Sequence, residues 1–245
     1  MEALVKRHVA TRYRGSVLGF LWSFMNPLCL MGVYTLVFNY WMRFDGGPHY
    51  HLMIFAGLLP WIWTTSALSE GTSSLVSSGH LITKSLFPAH VLPFVSVLSS
   101  LTHFLLALPI LLLFMLKSGL LPTATWLCLP LVVLLHAALL HGITLGLSAL
   151  NVFFRDVQHL VGNVLTFLFF LCPVVYPASA VPERFRLVLD LNPVAQLTLM
   201  YQRVLIAGEI PQLQSFVFVF LVSFGALLAG GMVHERLRER FAEAL

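Results

Sequence analysis

Residues 118–154 read SGLLPTATWLCLPLVVLLHAALLHGITLGLSALNVFF, without a single Asp, Glu, Lys or Arg. About 20 apolar residues carry a helix across the hydrocarbon of a bilayer. This stretch supplies them as a continuous run, whereas a barrel strand would alternate polar and apolar positions. Five more charge-free stretches flank it, at 15–42, 46–69, 85–116, 157–182 and 210–234. A charge at mid-bilayer costs at least ~2.5 kcal/mol, so these gaps mark where a chain can cross. The expectation is an all-α integral membrane protein of one domain, 1–245, with six transmembrane helices at 17–41, 51–68, 93–116, 124–150, 159–175 and 213–233. Pro173 and Pro177 interrupt the far end of the fifth.

Composition agrees. The 245 residues are 58% hydrophobic and 10% charged, against about 25% charged in soluble domains. A soluble fold of this size lacks the polar cover to hide so much apolar surface. A soluble enzyme, a disordered chain and a disulfide-stapled module are all excluded. Cys29, Cys128 and Cys172 fall far apart inside expected spans and read as inert thiols, not a metal site or disulfide framework.

Lysine and arginine set the orientation. Lys6, Arg7, Arg12, Arg14, Lys84, Arg155, Arg236, Arg238 and Arg240 fall on one side, nine against the five of Arg43, Lys117, Arg184, Arg186 and Arg203. Both termini are therefore expected in the cytoplasm. The first apolar run is too long for a signal peptide and is expected to stay as a span. The basic clusters behind the pI of about 9.2 suit anionic lipid head groups better than nucleic acid.

Segment 1–16 carries Leu4, Val5, Val9 and Tyr13 at helical spacing among its cations. It reads equally as a helix lying in the membrane plane and as a plain cytoplasmic flank. Between spans two and three, Leu81, Ile82 and Leu86 make one face of a short helix ending before Pro88. Such an element is either a protein-docking surface or a loop skimming the membrane. Segment 178–210 is apolar yet carries Glu183, Arg184, Arg186, Asp190, Arg203 and Glu209, with a break at Asn192-Pro193. Two short re-entrant helices at the outer interface fit it better than a seventh span.

Trp22 and Tyr40-Trp41 bracket span one as an interfacial belt. Phe167, Phe169, Phe170 and Tyr176 cluster in span five, where they either line a conduit or pack against lipid and protein. Ala138, Gly142 and Gly146 sit four apart in span four, a spacing for close helix approach. His136 in the same span reads as a neutral, hydrogen-bonded core histidine.

Phosphate-loop, His-Glu-x-x-His and Cys-x-x-Cys motifs are all missing, as are paired carboxylates at catalytic spacing. No catalytic, cofactor or metal residue is therefore assigned, and energy is expected from a partner.

Residues 12–27, RYRGSVLGFLWSFMNP, leading into YTLVF at 34–38, resemble the opening of membrane subunits of polysaccharide ABC exporters. These are the type-2 permeases for O-antigen, capsule and teichoic acid. LFPAHVLP at 86–93, NVFFRDV at 151–157, and PVVYP at 173–177 followed by Asn192-Pro193 fit the same pattern. Where the family commonly has an acidic residue after Phe-Pro, this chain has Ala89-His90.

The resemblance implies a homodimer in the bacterial inner membrane, docked to two copies of a separate ATP-binding subunit that holds Mg-ATP, and exporting a lipid-linked polysaccharide. It implies that 1–16 is an amphipathic interface helix, that 178–210 forms outer gate helices, and that 234–245 is a cytoplasmic tail. It makes His80, Leu81, Ile82, Lys84, Leu86, Phe87 and Pro88 the cytoplasmic coupling helix. Spans one and five become conduit walls, with Trp22, Phe24, Tyr34, Phe167, Phe170 and Tyr176 as the candidate aromatic lining. The substrate pyrophosphate is expected to meet Arg12 and Arg14, since guanidinium–phosphate hydrogen bonds are strong. A type-2 exporter of a drug or other small hydrophobic molecule and a secondary carrier are the competing readings.

Replacing Arg12 and Arg14 together by Gln is expected to reduce export while leaving complex assembly intact. Unchanged export in the double variant, scored by surface polysaccharide, removes the pyrophosphate role from these residues.

Overall fold

In the computed structural model, residues 21–43, 47, 49–84 and 88–244 are described. Segment 1–20 lies outside them, and with it Arg12, Arg14 and the expected interface helix. The described residues are mostly helical and contain no strands. Helix α1 covers Trp22–Tyr34 and runs on through a π turn at Thr35–Trp41. Helix α2 is Tyr50–Ser77, α3 Gly79–Lys84, and α4 Val91–Lys117. A 3₁₀ turn at Ala124–Cys128 leads into α5, Leu129–Phe153, and α6 is Val157–Leu171. Past two further 3₁₀ turns come α7, Arg186–Asp190, and α8, Pro193–Gln202, which continues as a π turn through Ala207. Helix α9 is Leu213–Leu237, and α10 is Phe241–Ala244.

Among the described residues four helices are long and apolar enough to cross a membrane: α2, α4, α5 with its 3₁₀ lead-in, and α9. Helix α6 is apolar but only 15 residues long. Helix α2 continues well past the expected end at 68, through Glu70 and the serine run, to Ser77. Its hydroxyls make this possible: Thr72 and Ser74 donate to carbonyls three or four residues back, so the polar run is satisfied inside its own helix.

Burial runs opposite to apolarity. Helix α2 is the least apolar of the four long helices, yet 72% of its most apolar stretch is buried; α9 is the most apolar, and only 17% of that stretch is buried. A helix surrounded by protein tolerates small and polar residues, whereas a helix facing lipid must be apolar over its exposed face. Helix α2 thus forms the centre of the core, with Phe55, Leu58, Leu59 and Trp63 among the buried side chains.

Helices α5 and α9 meet along a seam of small residues. A Cβ added to Gly142 would come within 2.5 Å of the Ala226 carbonyl carbon and the Leu227 nitrogen. One added to Gly230 would collide with the Gly142 carbonyl oxygen. Ser223 Oγ adds a hydrogen bond across the seam to the Leu135 carbonyl, at 3.3 Å. The four-residue spacing at 138, 142 and 146 is therefore a packing device.

Gly230→Leu is expected to force the two backbones apart at a cost of about 1–3 kcal/mol or more. It should lower the thermal midpoint of the purified chain in mild detergent. Gly225→Ala, at a position with nothing within 4 Å, should leave that midpoint unchanged.

Candidate functional site

Three helices each present one stripe to a shared groove of about 460 Å³. From α1 come Tyr34 and Phe38, four residues apart; from α2 Trp61, Thr65 and Ser69, again at four-residue steps; from α6 Gly162, Leu165, Thr166 and Phe169 at helical spacing, joined by Phe170. The rings form a connected set. Phe169 lies 5.5 Å from Tyr34, 5.4 Å from Trp61 and 5.3 Å from Phe170, centroid to centroid, and Tyr34 lies 6.4 Å from Phe38. Thr65 and Thr166 spend their hydroxyl protons on their own helices, donating to the Ile62 and Gly162 carbonyls at 3.0 Å each. The wall carries no Asp, Glu, Lys or Arg. It offers ring faces and methyl groups and no fixed charge, a surface that holds a flat or amphipathic chain loosely.

The candidate aromatics divide. Tyr34 and Phe170 line the groove. Phe167 points away on the outer face of α6, at 71% exposure. Trp22 sits at the start of α1 beside a small crevice with Ser23, Asn26 and His103, and Phe24 is half-buried. Tyr176 caps the end of α6, donating to the Phe170 carbonyl at 2.9 Å. Sequence reasoning passed over Phe38 and Trp61 as lining residues. Phe38 was findable, being one helical turn beyond Tyr34; Trp61 was not, because only packing shows which face of α2 meets α1 and α6.

Beyond α6 the helix breaks, and Cys172, Pro173, Val174 and Val175 are all buried. Backbone carbonyls in such a place need partners. Gln202 Nε2 donates to the Pro173 carbonyl at 2.9 Å and to the Met53 carbonyl at 3.4 Å. Tyr50 Oη donates to the Val175 carbonyl. Gly57 makes room for this junction, since a Cβ there would lie 2.8 Å from Gln202 Nε2 and 3.3 Å from Val174 Cα. Asn192 then starts α8 in extended conformation, its Oδ1 accepting from the Val194 and Ala195 amides at 3.0 and 3.2 Å, with Pro193 at the first helical position.

Helix α8 is tied to the bundle through His136. Thr64 Oγ1 donates to the Pro60 carbonyl at 2.9 Å, so it meets His136 Nε2, also at 2.9 Å, as an acceptor. The imidazole therefore carries its proton on Nε2, and Nδ1 accepts from Tyr201 Oη at 3.3 Å. Trp63 packs against the same ring, tilted at 57° with centroids 4.3 Å apart. The histidine is neutral and structural.

On the far side of α8 an open hollow of about 560 Å³ is lined by Arg186, Asp190, Gln196 and Arg203 together with leucines of α7. At the opposite end of the bundle, α3 places His80 outward and Ile82 half-buried against the core. Pro88 follows as an exposed residue before a turn; Leu86 and Phe87 lie outside the described residues, as do the side chains of Leu81 and Lys84. Asn151, fully buried near the end of α5, accepts from the Gln158 amide at 3.3 Å and so caps α6. That bond accounts for the Asn in NVFFRDV. Among the described residues no group of His, Cys, Asp or Glu is placed to hold a metal ion.

An apolar helical bundle with a long unsatisfied apolar surface, a buried broken helix and an uncharged groove is the build of a membrane permease. Residues 1–206 match the ABC-2 type transporter family, and the chain belongs to that family. It is 40% identical over 245 residues to the O-antigen export system permease protein RfbA of Myxococcus xanthus, covering 99% of this chain and 94% of the relative. Two Klebsiella pneumoniae proteins of the same name are 29% and 28% identical over the whole of this chain and 94% of their own length.

Gln202→Leu keeps the bulk but strips the Pro173 and Met53 carbonyls of their donor. A loss of about 1–3 kcal/mol is expected, read as a lower unfolding midpoint. Tyr176→Phe, whose bond is solvent-exposed, should shift the same midpoint much less.

Proposed function

We propose that this chain is the membrane subunit of an ABC exporter that moves a polyprenyl-pyrophosphate-linked polysaccharide, O-antigen in the first instance, across the bacterial inner membrane. The aromatic groove between α1, α2 and α6 carries the reading. Sugar rings stack on aromatic faces, and a wall without charges lets a polymer of many repeats slide without being trapped. The full-length relatives named as O-antigen export permeases support the same substrate class. A drug or other small hydrophobic substrate fits an apolar groove too, but draws no support from those names.

In this reading the chain crosses the membrane six times with both termini in the cytoplasm. Helix α1 and the short helix α6 supply the two spans beyond the four long helices. The groove is one half of the conduit. Leu36, Tyr40, Leu160, Val164 and Phe167 leave apolar surface exposed on α1 and α6, and a second copy of the chain covers it and closes the conduit. Segment 1–16 is the interface helix, and Arg12 and Arg14 receive the pyrophosphate. The segment 178–210, with α7 and α8, forms the outer gate. Segment 79–88 docks on the ATP-binding subunit, which holds Mg-ATP and performs hydrolysis; the permease itself is no enzyme. ATP binding closes two such subunits, and their motion reaches α1 and α6 through the docked segment.

The tagged chain, purified from native membranes in mild detergent, is expected to bring an ATP-hydrolysing subunit with it in one-to-one ratio. Tyr34→Ala with Phe169→Ala should cut polysaccharide export by tenfold or more while basal ATP hydrolysis persists. Transport driven by an ion gradient in vesicles holding this chain alone would establish a secondary carrier instead.

A further inference from the structure

The segment expected as a cytoplasmic tail, 234–245, packs through Phe241 against the body of the protein. Helix α9 continues to Leu237, a 3₁₀ turn follows at Arg238–Arg240, and α10 brings the chain back. Phe241 in α10 is 1% exposed. It sits in a second apolar cluster, separate from the main core, with Leu75 of α2, Ala89 of the turn before α4, Leu92 of α4, and Ala149 and Val152 of α5. Its ring packs against Phe153 at 6.2 Å and edge-on against His234 at 5.3 Å. Ile82 of α3 lies half-buried on this cluster.

Helix α3 is six residues long, too short to hold its shape unaided. Its surroundings must fix it. Ile82 is its anchor on the cluster, with His80 turned outward. Phe241 is the largest fully buried side chain in that cluster. It shares the cluster with residues of the elements on either side of α3, and its ring packs on Phe153 at the end of α5 and His234 near the end of α9. A rigid transmitter is needed wherever one subunit's motion is to reach another's helices, since a floppy link dissipates the displacement.

We propose that Phe241 is a positioning residue for energy coupling: it holds α3 in place so that motion of the ATP-binding subunit is passed on to the membrane helices. This rests on the exporter reading above. The tail segment thereby works as an internal brace, not as a free extension.

The test uses the full complex in lipid nanodiscs, with a spin label on a cysteine at position 80 in the natural-sequence and variant backgrounds. Phe241→Ala is expected to raise label mobility and to lower export per ATP hydrolysed by at least fivefold, with the ATP-binding subunit still bound. Phe241→Met should restore both. Leu139→Ala, a truncation in the main core, controls for general loosening and should leave the label's mobility unchanged. Unchanged mobility in Phe241→Ala overturns the proposal, as does raised mobility with unaltered export per ATP. So does equal mobilisation by Leu139→Ala, which would make the effect one of stability alone. Failure of the unaltered complex to export polysaccharide would instead count against the exporter reading, while the mobility comparison still decides whether Phe241 anchors α3.

Discussion

Hydrocarbon supplies no hydrogen-bond partners, so each peptide group buried at membrane depth must find one inside the protein. Most of this chain meets that demand by staying helical. The demand becomes acute after α6, where Pro173 and Pro177 stop the helix and four consecutive residues are nonetheless buried. Two side chains from distant parts of the sequence, Tyr50 and Gln202, supply the donors. Their reach fixes how α8 sits against α2, and Gly57 is the gap that lets them meet. The broken segment and the seating of α8 hang on those few bonds.

The bundle then separates into parts with different physical tasks. Helix α2 is the hub, tolerant of serines and threonines because protein surrounds it. Helices α5 and α9 are joined by backbone contact at Gly142 and Gly230, which makes that pair rigid without large side chains. Helices α1 and α6 keep exposed apolar faces and the aromatic set around Phe169. With the paired helices on one side of the hub and two less embedded helices on the other, the groove between α1, α2 and α6 stays open. At the other end, the cluster around Phe241 gathers five helices beneath α3.

Much of this was readable from residue order. Charge gaps located the long apolar helices, the Ala138–Gly142–Gly146 spacing announced a close helix contact, and Asn192-Pro193 marked a break, which is where α8 starts. His136 was expected to be neutral and hydrogen-bonded, and its bonds to Thr64 and Tyr201 fit that. Other features were hidden for definite reasons. Trp61 gave no sign of facing the groove, since an apolar helix buried on nearly all sides has no distinctive face in its sequence. The extension of α2 to Ser77 was masked by serines, which read as loop until their hydroxyls are seen bonding back to the helix. Phe241, lying among charged residues of the expected cytoplasmic tail, gave no sign of burial.

The sequence by itself determined the solvent of this protein, the order of its helices and the family to which it belongs, because these depend on composition, local periodicity and short motifs. Which aromatic rings share a groove, which donors reach the broken backbone and what braces α3 were decided only by tertiary structure. Those are contacts between residues as much as 149 positions apart, as between Gln202 and Met53. Such contacts depend on helix rotation and packing, and neither is encoded in any local stretch of the chain.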